Sequence, residues 1–357
     1  MHVDDHIKIG TFSGDLAMYD NTSENDAFHC SDTTPQDPFV SPKVSAKARL
    51  KTGVAHHQNG QYKLALISLQ RALDTLNNQE PSLLRGKIYN AIASVHYSQK
   101  RYLWVLEPAR KALKIGESLD HRYLQLLALD QIGNSYRHLN DLDKALTALS
   151  QSYQLAEAMA DSEVLARSLN NLGLACKASG DYAQAIDCYE KSLQLAKKSG
   201  NNRKIGQILR NIGNLHHRVG DYAKTIDYYS QLLEIESAHL DKSTAIKILR
   251  NLGTACYAMG QYSLAVKYLE QRLQLAQEAS DLKAQEQSLD SLSINYDALG
   301  DTAHVISSQE QRLHVCLALR NLKLQQQALN CLKATCLTVG DFDRILKYQH
   351  LFNGCIA

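Results

Sequence analysis

The chain has 357 residues, of which 44% are hydrophobic and 21% charged, and a formal net charge of +2. That charge is too small to argue for nucleic acid or a membrane surface by itself, and no apolar run approaches the ~18 residues that a membrane span needs. Cys30, Cys176, Cys188, Cys256, Cys316, Cys331, Cys336 and Cys355 form no C-x-x-C pair, so they read as reduced thiols of a cytoplasmic chain.

Residues 1–43 are rich in Asp, Ser, Thr and Asn and close on Pro35, Pro38 and Pro42, the composition of a disordered acidic arm. Met1 to Gly10 lacks the apolar stretch of a signal peptide. His2 and His6 stand at metal-ligand spacing without a third ligand, and the sequon Asn21-Thr22-Ser23 has no secretion signal to give it meaning. No metal or other cofactor is expected.

From Val44 the pattern is helical and returns every forty residues to the same joint: Gly60-Gln61-Tyr62, Lys100-Arg101-Tyr102, Asn140-Asp141-Leu142, Gly180-Asp181-Tyr182, Gly220-Asp221-Tyr222, Gly260-Gln261-Tyr262, Gly300-Asp301-Thr302 and Gly340-Asp341-Phe342. A constant period of this size means a stack of one supersecondary unit, with function on a repeated surface. The fourth unit shows its grammar. Asp161-Ser162 signals a helix start, and Ala166, Leu169, Leu172, Gly173 and Cys176 mark one apolar face of a first helix, A. Gly180 ends that helix and Asp181 caps the second, B, whose face runs through Tyr182, Ala185, Ile186, Tyr189, Leu193 and Ala196. The Gly173 column recurs as Gly53, Ala93, Gly133, Gly213, Gly253 and Ser293, small residues that let helices approach closely, and Lys333 breaks it. Pro108 falls inside the second unit's helix B, where a kink or delayed start is expected. The last unit is short and lacks a polar capping helix, so Ile345 and Leu346 are expected to be covered by a partner, a second copy or the arm.

These columns resemble the tetratricopeptide repeat, usually about 34 residues long. The units Asn170-Asn171-Leu172-Gly173…Gly180-Asp181-Tyr182 and Arg250-Asn251-Leu252-Gly253…Gly260-Gln261-Tyr262 are similar to the forty-residue repeats of spindle-orientation adaptors and kinesin light chains. The resemblance implies an all-α, right-handed superhelical solenoid of eight repeats over residues 44–353, with a tail at 354–357. It also implies that a stripe of helix A, positions 167, 170, 174 and 177 in the fourth unit, points away from the packing and lines a concave groove for extended peptides.

Repeats four to six place Arg167, Asn170, Leu174 and Lys177, then Gln207, Arg210, Asn214 and His217, then Lys247, Arg250, Thr254 and Tyr257 on that stripe, with no carboxylate. Guanidinium groups pair with carboxylates through two parallel hydrogen bonds, and asparagine can pair with both groups of an extended backbone. The expected contacts are Arg167, Asn170, Lys177, Arg210, Asn214, His217, Lys247, Arg250 and Tyr257. Arg210 and Arg250 would read charge, Asn170 and Asn214 backbone, and Tyr257 would form an apolar wall. The expected ligand is an acidic, extended segment of a protein partner. A masking role for the protein's own acidic arm, or a merely solvated face, stays open beside it. The Asn171, Asn211 and Asn251 ladder either joins that face or ties helices together.

No phosphate loop, nucleophile elbow or zinc-ligand set is present, which argues against an enzyme. The reading is a non-catalytic adaptor or scaffold. Two alternatives remain: a peptide-sensing regulator resembling the aspartate-phosphatase type, whose N-terminal bundle residues 1–43 look unable to form, and a self-associating assembly factor through the uncapped C-terminal end. Nucleic acid is disfavoured because the basic stripe fades at Asp290 and Asp297.

Overall fold

The computed structural model describes residues 41–76, 81–236 and 241–348. The N-terminal segment 1–40, with His2, His6, Asn21 and Cys30, and the C-terminal segment 349–357, with Cys355, lie outside the described residues.

Among the described residues there are sixteen helices, which pair in sequence order into eight hairpins. The chain divides into two compact units, one ending at Gly200 and the other beginning at Asn201. The first unit holds α1 (Pro42–Gln58), α2 (Tyr62–Thr75), α3 (Leu83–Ser98), α4 (Tyr102–Ser118), α5 (Arg122–His138), α6 (Leu142–Ala158), α7 (Ser162–Ser179) and α8 (Tyr182–Ser199). The second holds α9 (Asn202–Val219), α10 (Tyr222–Glu236), α11 (Lys242–Ala258), α12 (Tyr262–Glu278), α13 (Leu282–Ala298), α14 (Thr302–Ala318), α15 (Leu322–Val339) and α16 (Phe342–Lys347). Odd-numbered helices are the A helices of their hairpins and even-numbered ones the B helices.

Helix ends follow the capping logic. Asp181 accepts from the Gln184 amide at 3.0 Å, and Asp161 from the amides of Glu163 and Val164 at 2.9 and 3.2 Å. Each joint turns on one left-handed residue, such as Gly260 at φ 70°, while Lys100 and Asn140 adopt φ 59° and 62° at their own joints. The same device closes the junctions between hairpins at Asp120, Ala160, Gly200, Ser280 and Arg320. α1 begins at Pro42, inside the segment assigned to the arm, because Ser41 caps it and proline suits a helix's first turn. α4 runs unbroken from Tyr102 through Pro108, so the expected delay of that helix does not occur.

Packing within a hairpin is set by one pair of columns sixteen residues apart. A Cβ added at Gly133 would lie 2.5 Å from Leu149, at Gly173 2.8 Å from Tyr189, and at Gly213 2.8 Å from Tyr229. Where the partner is Ala109, Ala93 suffices, and where it is Gln309, Ser293 hydrogen-bonds it at 2.6 Å. Each hairpin also packs on the next in its own unit, α4 on α5, α6 on α7 and α12 on α13, so the core is a chain of clusters. At the end of the second unit, Ile345 packs into the cluster of Leu329 and Leu332, and buried Tyr348 donates to Glu310 at 3.0 Å. Ile345 is therefore covered by its own chain, while Phe342 and Leu346 remain 62% exposed.

Candidate functional site

In the first unit the stripe is largely closed. The A helices touch one another, α3 on α5 and α5 on α7, and this buries Asn90, Ser94, Tyr97, Leu127, Asp130 and Asn134. Polar members are satisfied from neighbouring helices: Gln131 Nε2 donates to Ser94 Oγ at 2.6 Å and to the Asn90 carbonyl at 3.2 Å. Asp130, with no exposure, accepts from Ser152 Oγ at 2.7 Å, and Arg167 Nε of α7 stands 3.4 Å from its other oxygen. At the end of α5, His138 stacks on Tyr102 with centroids 4.1 Å apart and shares hydrogen bonds with Tyr97 and Arg137. Burial, then the charges of Arg137 and Lys100, push its pKa down to about 4.

The expectation that this stripe points away from the packing therefore fails in repeats two and three and is only half met in repeat four. Arg167, with its side chain 16% exposed, directs charge at Asp130, Asn170 is buried, and Lys177 is half-buried. The spacing that puts these residues on one face was legible. The neighbouring A helix that covers the face was not, because its approach depends on packing between repeats.

The second unit is different. On α9, Arg210, Asn214 and His217 are half-buried, and on α11, Lys247, Arg250, Thr254 and Tyr257 are exposed, Tyr257 by 43%. A buried tyrosine organises them: Tyr229 of α10 donates to Asn214 Oδ1 at 2.7 Å and accepts from Asn251 Nδ2 at 3.0 Å. Asn251 thus ties helices together, and the Asn214 carbonyl is already engaged. Burial holds the Tyr229 hydroxyl up at about 12. Burial and the nearby Arg250 charge lower the pKa of His217, so that ring stays neutral beside the guanidinium. Tyr257 leans on Tyr262, centroids 5.5 Å apart, giving the stripe an aromatic edge. On α13, Asp290 lies 2.5 Å from Arg312 while Ile294 and Asp297 are exposed.

One residue at this face escaped the sequence reading. Arg272, on α12, is 2% exposed and donates from Nη2 to the stripe residue Gln287 at 2.9 Å. The column in which it sits runs Ala72, Ala112, Ser152, Ser192, Leu232, Arg272, Arg312. The switch from small or apolar residues to arginine was the signal.

Among the described residues no three His, Cys, Asp or Glu side chains gather as a metal site would need, and no helix is long and apolar enough to cross a membrane. His57 bonds Ser98 at 2.8 Å and His216 stacks on Tyr228, centroids 5.4 Å apart.

The sequence profile of the tetratricopeptide repeat matches residues 123–198 and 204–278, spanning α5–α8 and α9–α12. Those two stretches carry tetratricopeptide repeats. No curated protein matches it in sequence. Solved structures share the fold at low identity. One is a signal-transduction ATPase with numerous domains that has a tetratricopeptide repeat sensor, from Pyrococcus horikoshii, with TM-score 0.61, 16% identity, 88% of this chain and 49% of that one. This chain thus spans about half the length of that relative. A second is a Rap protein complexed with competence and sporulation factor, with TM-score 0.53, 16% identity, 81% of this chain and 78% of that one. A third is aspartyl phosphate phosphatase F from Bacillus subtilis, with TM-score 0.54, 14% identity, 80% of this chain and 72% of that one. At such identities the likeness speaks for the fold alone: all-α, a solenoid of tetratricopeptide hairpins.

Proposed function

We propose that the chain is a non-catalytic, cytoplasmic adaptor whose tetratricopeptide repeats hold an acidic, extended segment of a protein partner. The observation that carries this reading is the stripe of α9 and α11, where Arg210, Lys247 and Arg250 stand beside Asn214, His217 and Tyr257 and no stripe position carries a carboxylate. Arg210 and Arg250 pair with carboxylates of the segment, the Asn214 side-chain amide meets its backbone, and Tyr257 supplies an apolar wall. In the first unit, Lys177 holds the corresponding stripe position of α7, Asn170 is buried there, and Arg167 is a weaker contact because Asp130 already draws on its charge. Exposed ion pairs contribute about 0.2–1 kcal/mol each, so the affinity is modest and falls with salt.

A second reading has its own support. The Pyrococcus protein has a tetratricopeptide repeat sensor, and the Rap protein is complexed with competence and sporulation factor. A chain of this fold can therefore serve as a ligand-sensing regulator using the same face. Self-association through Phe342 and Leu346 is a third route to assembly.

The test is affinity capture from native lysate with wild-type chain beside the Arg210→Glu, Arg250→Glu double variant, at low and moderate salt. A partner lost with the variant and weakened by salt supports the adaptor, and capture unaffected by the charge reversal overturns it.

A further inference from the structure

Arg272 and Arg312 occupy one column in successive hairpins, near the middle of α12 and α14, and both are buried. Their surroundings differ at two positions. Arg312 Nε donates to Glu286 Oε1 at 2.8 Å, its Nη2 lies 2.7 Å from the same oxygen, and its Nη1 lies 2.5 Å from Asp290 Oδ1. Two carboxylates of α13 therefore balance that guanidinium. Forty residues earlier the same two places on α11 are Ile246 and Arg250. Arg272 donates to Gln287, but its Nε and Nη1 are buried with no hydrogen-bond partner among the described residues. Burial and, next, the Arg250 charge hold its pKa down at about 10.

Buried polar groups are nearly always bonded, and a buried cation needs a counter-charge. Asp281 and Glu286 offset only part of the Arg272 charge, no carboxylate bonds its Nε or Nη1 among the described residues, and the stripe residue Arg250 adds a second positive charge. The position of Arg272 says from which side a further carboxylate would reach it. Gln287 and Arg250 are stripe positions on α13 and α11, two helices that touch. The Arg272 guanidinium reaches the stripe between them, with half-buried Gln287 as its cover.

We propose that Arg272 and Arg250 together hold one side-chain carboxylate of the bound acidic segment, in the place that Glu286 and Asp290 fill for Arg312. This rests on the reading of the stripe as the partner-binding face and makes one position of the segment obligately acidic. Gln287 turns aside about its own side-chain bonds to admit the carboxylate. Internal complementarity fixes the chemistry: Arg312 shows what this column's guanidinium binds when a carboxylate is supplied.

The full chain is titrated with a capped, fluorescein-labelled hexaglutamate by anisotropy, with a capped hexaserine as control. In parallel the Arg272 Nε–Hε signal, assigned by its loss in Arg272→Met, is followed by nitrogen-15 NMR. Wild type is expected to bind hexaglutamate and not hexaserine, with the Arg272 signal moving on saturation. Arg272→Met and Ile246→Glu are each expected to weaken binding about tenfold. Ile246→Glu does so by supplying Arg272 with a carboxylate from within, and it raises the thermal midpoint. If Arg272→Met does not fold, Ile246→Glu and the wild-type NMR signal decide the matter. Wild-type affinity in Ile246→Glu with an unmoved Arg272 signal overturns the subsite, while loss of binding in Arg210→Glu with Lys247→Glu then leaves the stripe reading standing. No binding of hexaglutamate by wild type overturns both.

Discussion

The Asp130 carboxylate is fully buried on α5 and depends on Ser152 and on Arg167 of the next hairpin. Removing one partner of a buried ion pair leaves the other's desolvation uncompensated, typically costing about 3–5 kcal/mol. A separation of 3.4 Å and partial exposure of Arg167 place this pair at the low end. Arg167→Ala is expected to lower the unfolding free energy in urea by about 3 kcal/mol, and Asp130→Asn with Arg167→Met to recover most of that loss. An unchanged midpoint in the single variant would show that Arg167 is available to ligand after all. His138 makes a second prediction at this scale. The fold holds its ring neutral down to about 4, whereas the unfolded chain takes up a proton near the ordinary 6.5. Stability is then complete above pH 6.5 and is lost as pH falls from there toward 4, and His138→Phe, which keeps the stack on Tyr102, should flatten the thermal midpoint across that window. Neither role was legible in the sequence. Asp130 and Arg167 sit in different columns of one stripe, so their pairing across two hairpins emerges only when α5 and α7 are in contact.

At the scale of the helix pair, most of the architecture was legible because its causes are local. Asp181 and Gly180 end one helix and start the next through bonds to residues at most four positions away, and such contacts are written in adjacent letters. The small column was legible too, though the reason for it was not. Gly133 faces Leu149 and Gly173 faces Tyr189, while Ala93 faces Ala109, so small residue and partner compensate each other within the hairpin. Gly133→Ala forces a methyl to 2.5 Å from the Leu149 side chain, an overpacking that costs about 1–3 kcal/mol. Leu149→Ala alone opens a cavity at about 2–5 kcal/mol. The double variant reproduces the Ala93–Ala109 pair and is expected to lose at least 1 kcal/mol less than the sum of the singles. Strict additivity in urea titrations would mean that the column is not a packing unit. Exposure of the stripe, in contrast, was illegible at this scale: the same positions are buried on α5 and open on α11, with the same period in both.

Because the core is a succession of clusters in which each hairpin packs on its sequence neighbours within its own unit, a lesion should be felt near its origin and fade with distance along the chain. Gly133→Ala offers the test. Its clash lies between α5 and α6, which pack on α3, α4 and α7, all within the first unit. Native-state hydrogen exchange should therefore show weakened protection in α4–α7 with α13 and α14 unchanged, since local opening energies follow the contacts of each cooperative segment. The same logic bears on function. The charge-bearing stripe of α9 and α11 lies in the second unit, so Gly133→Ala should leave hexaglutamate affinity within experimental error while lowering stability. Arg272→Met should do the reverse, changing affinity without disturbing protection in α4–α7. Uniform loss of protection along the whole chain, together with loss of binding in Gly133→Ala, would mean that the hairpins fold as a single cooperative body and that stability and recognition cannot be separated by position.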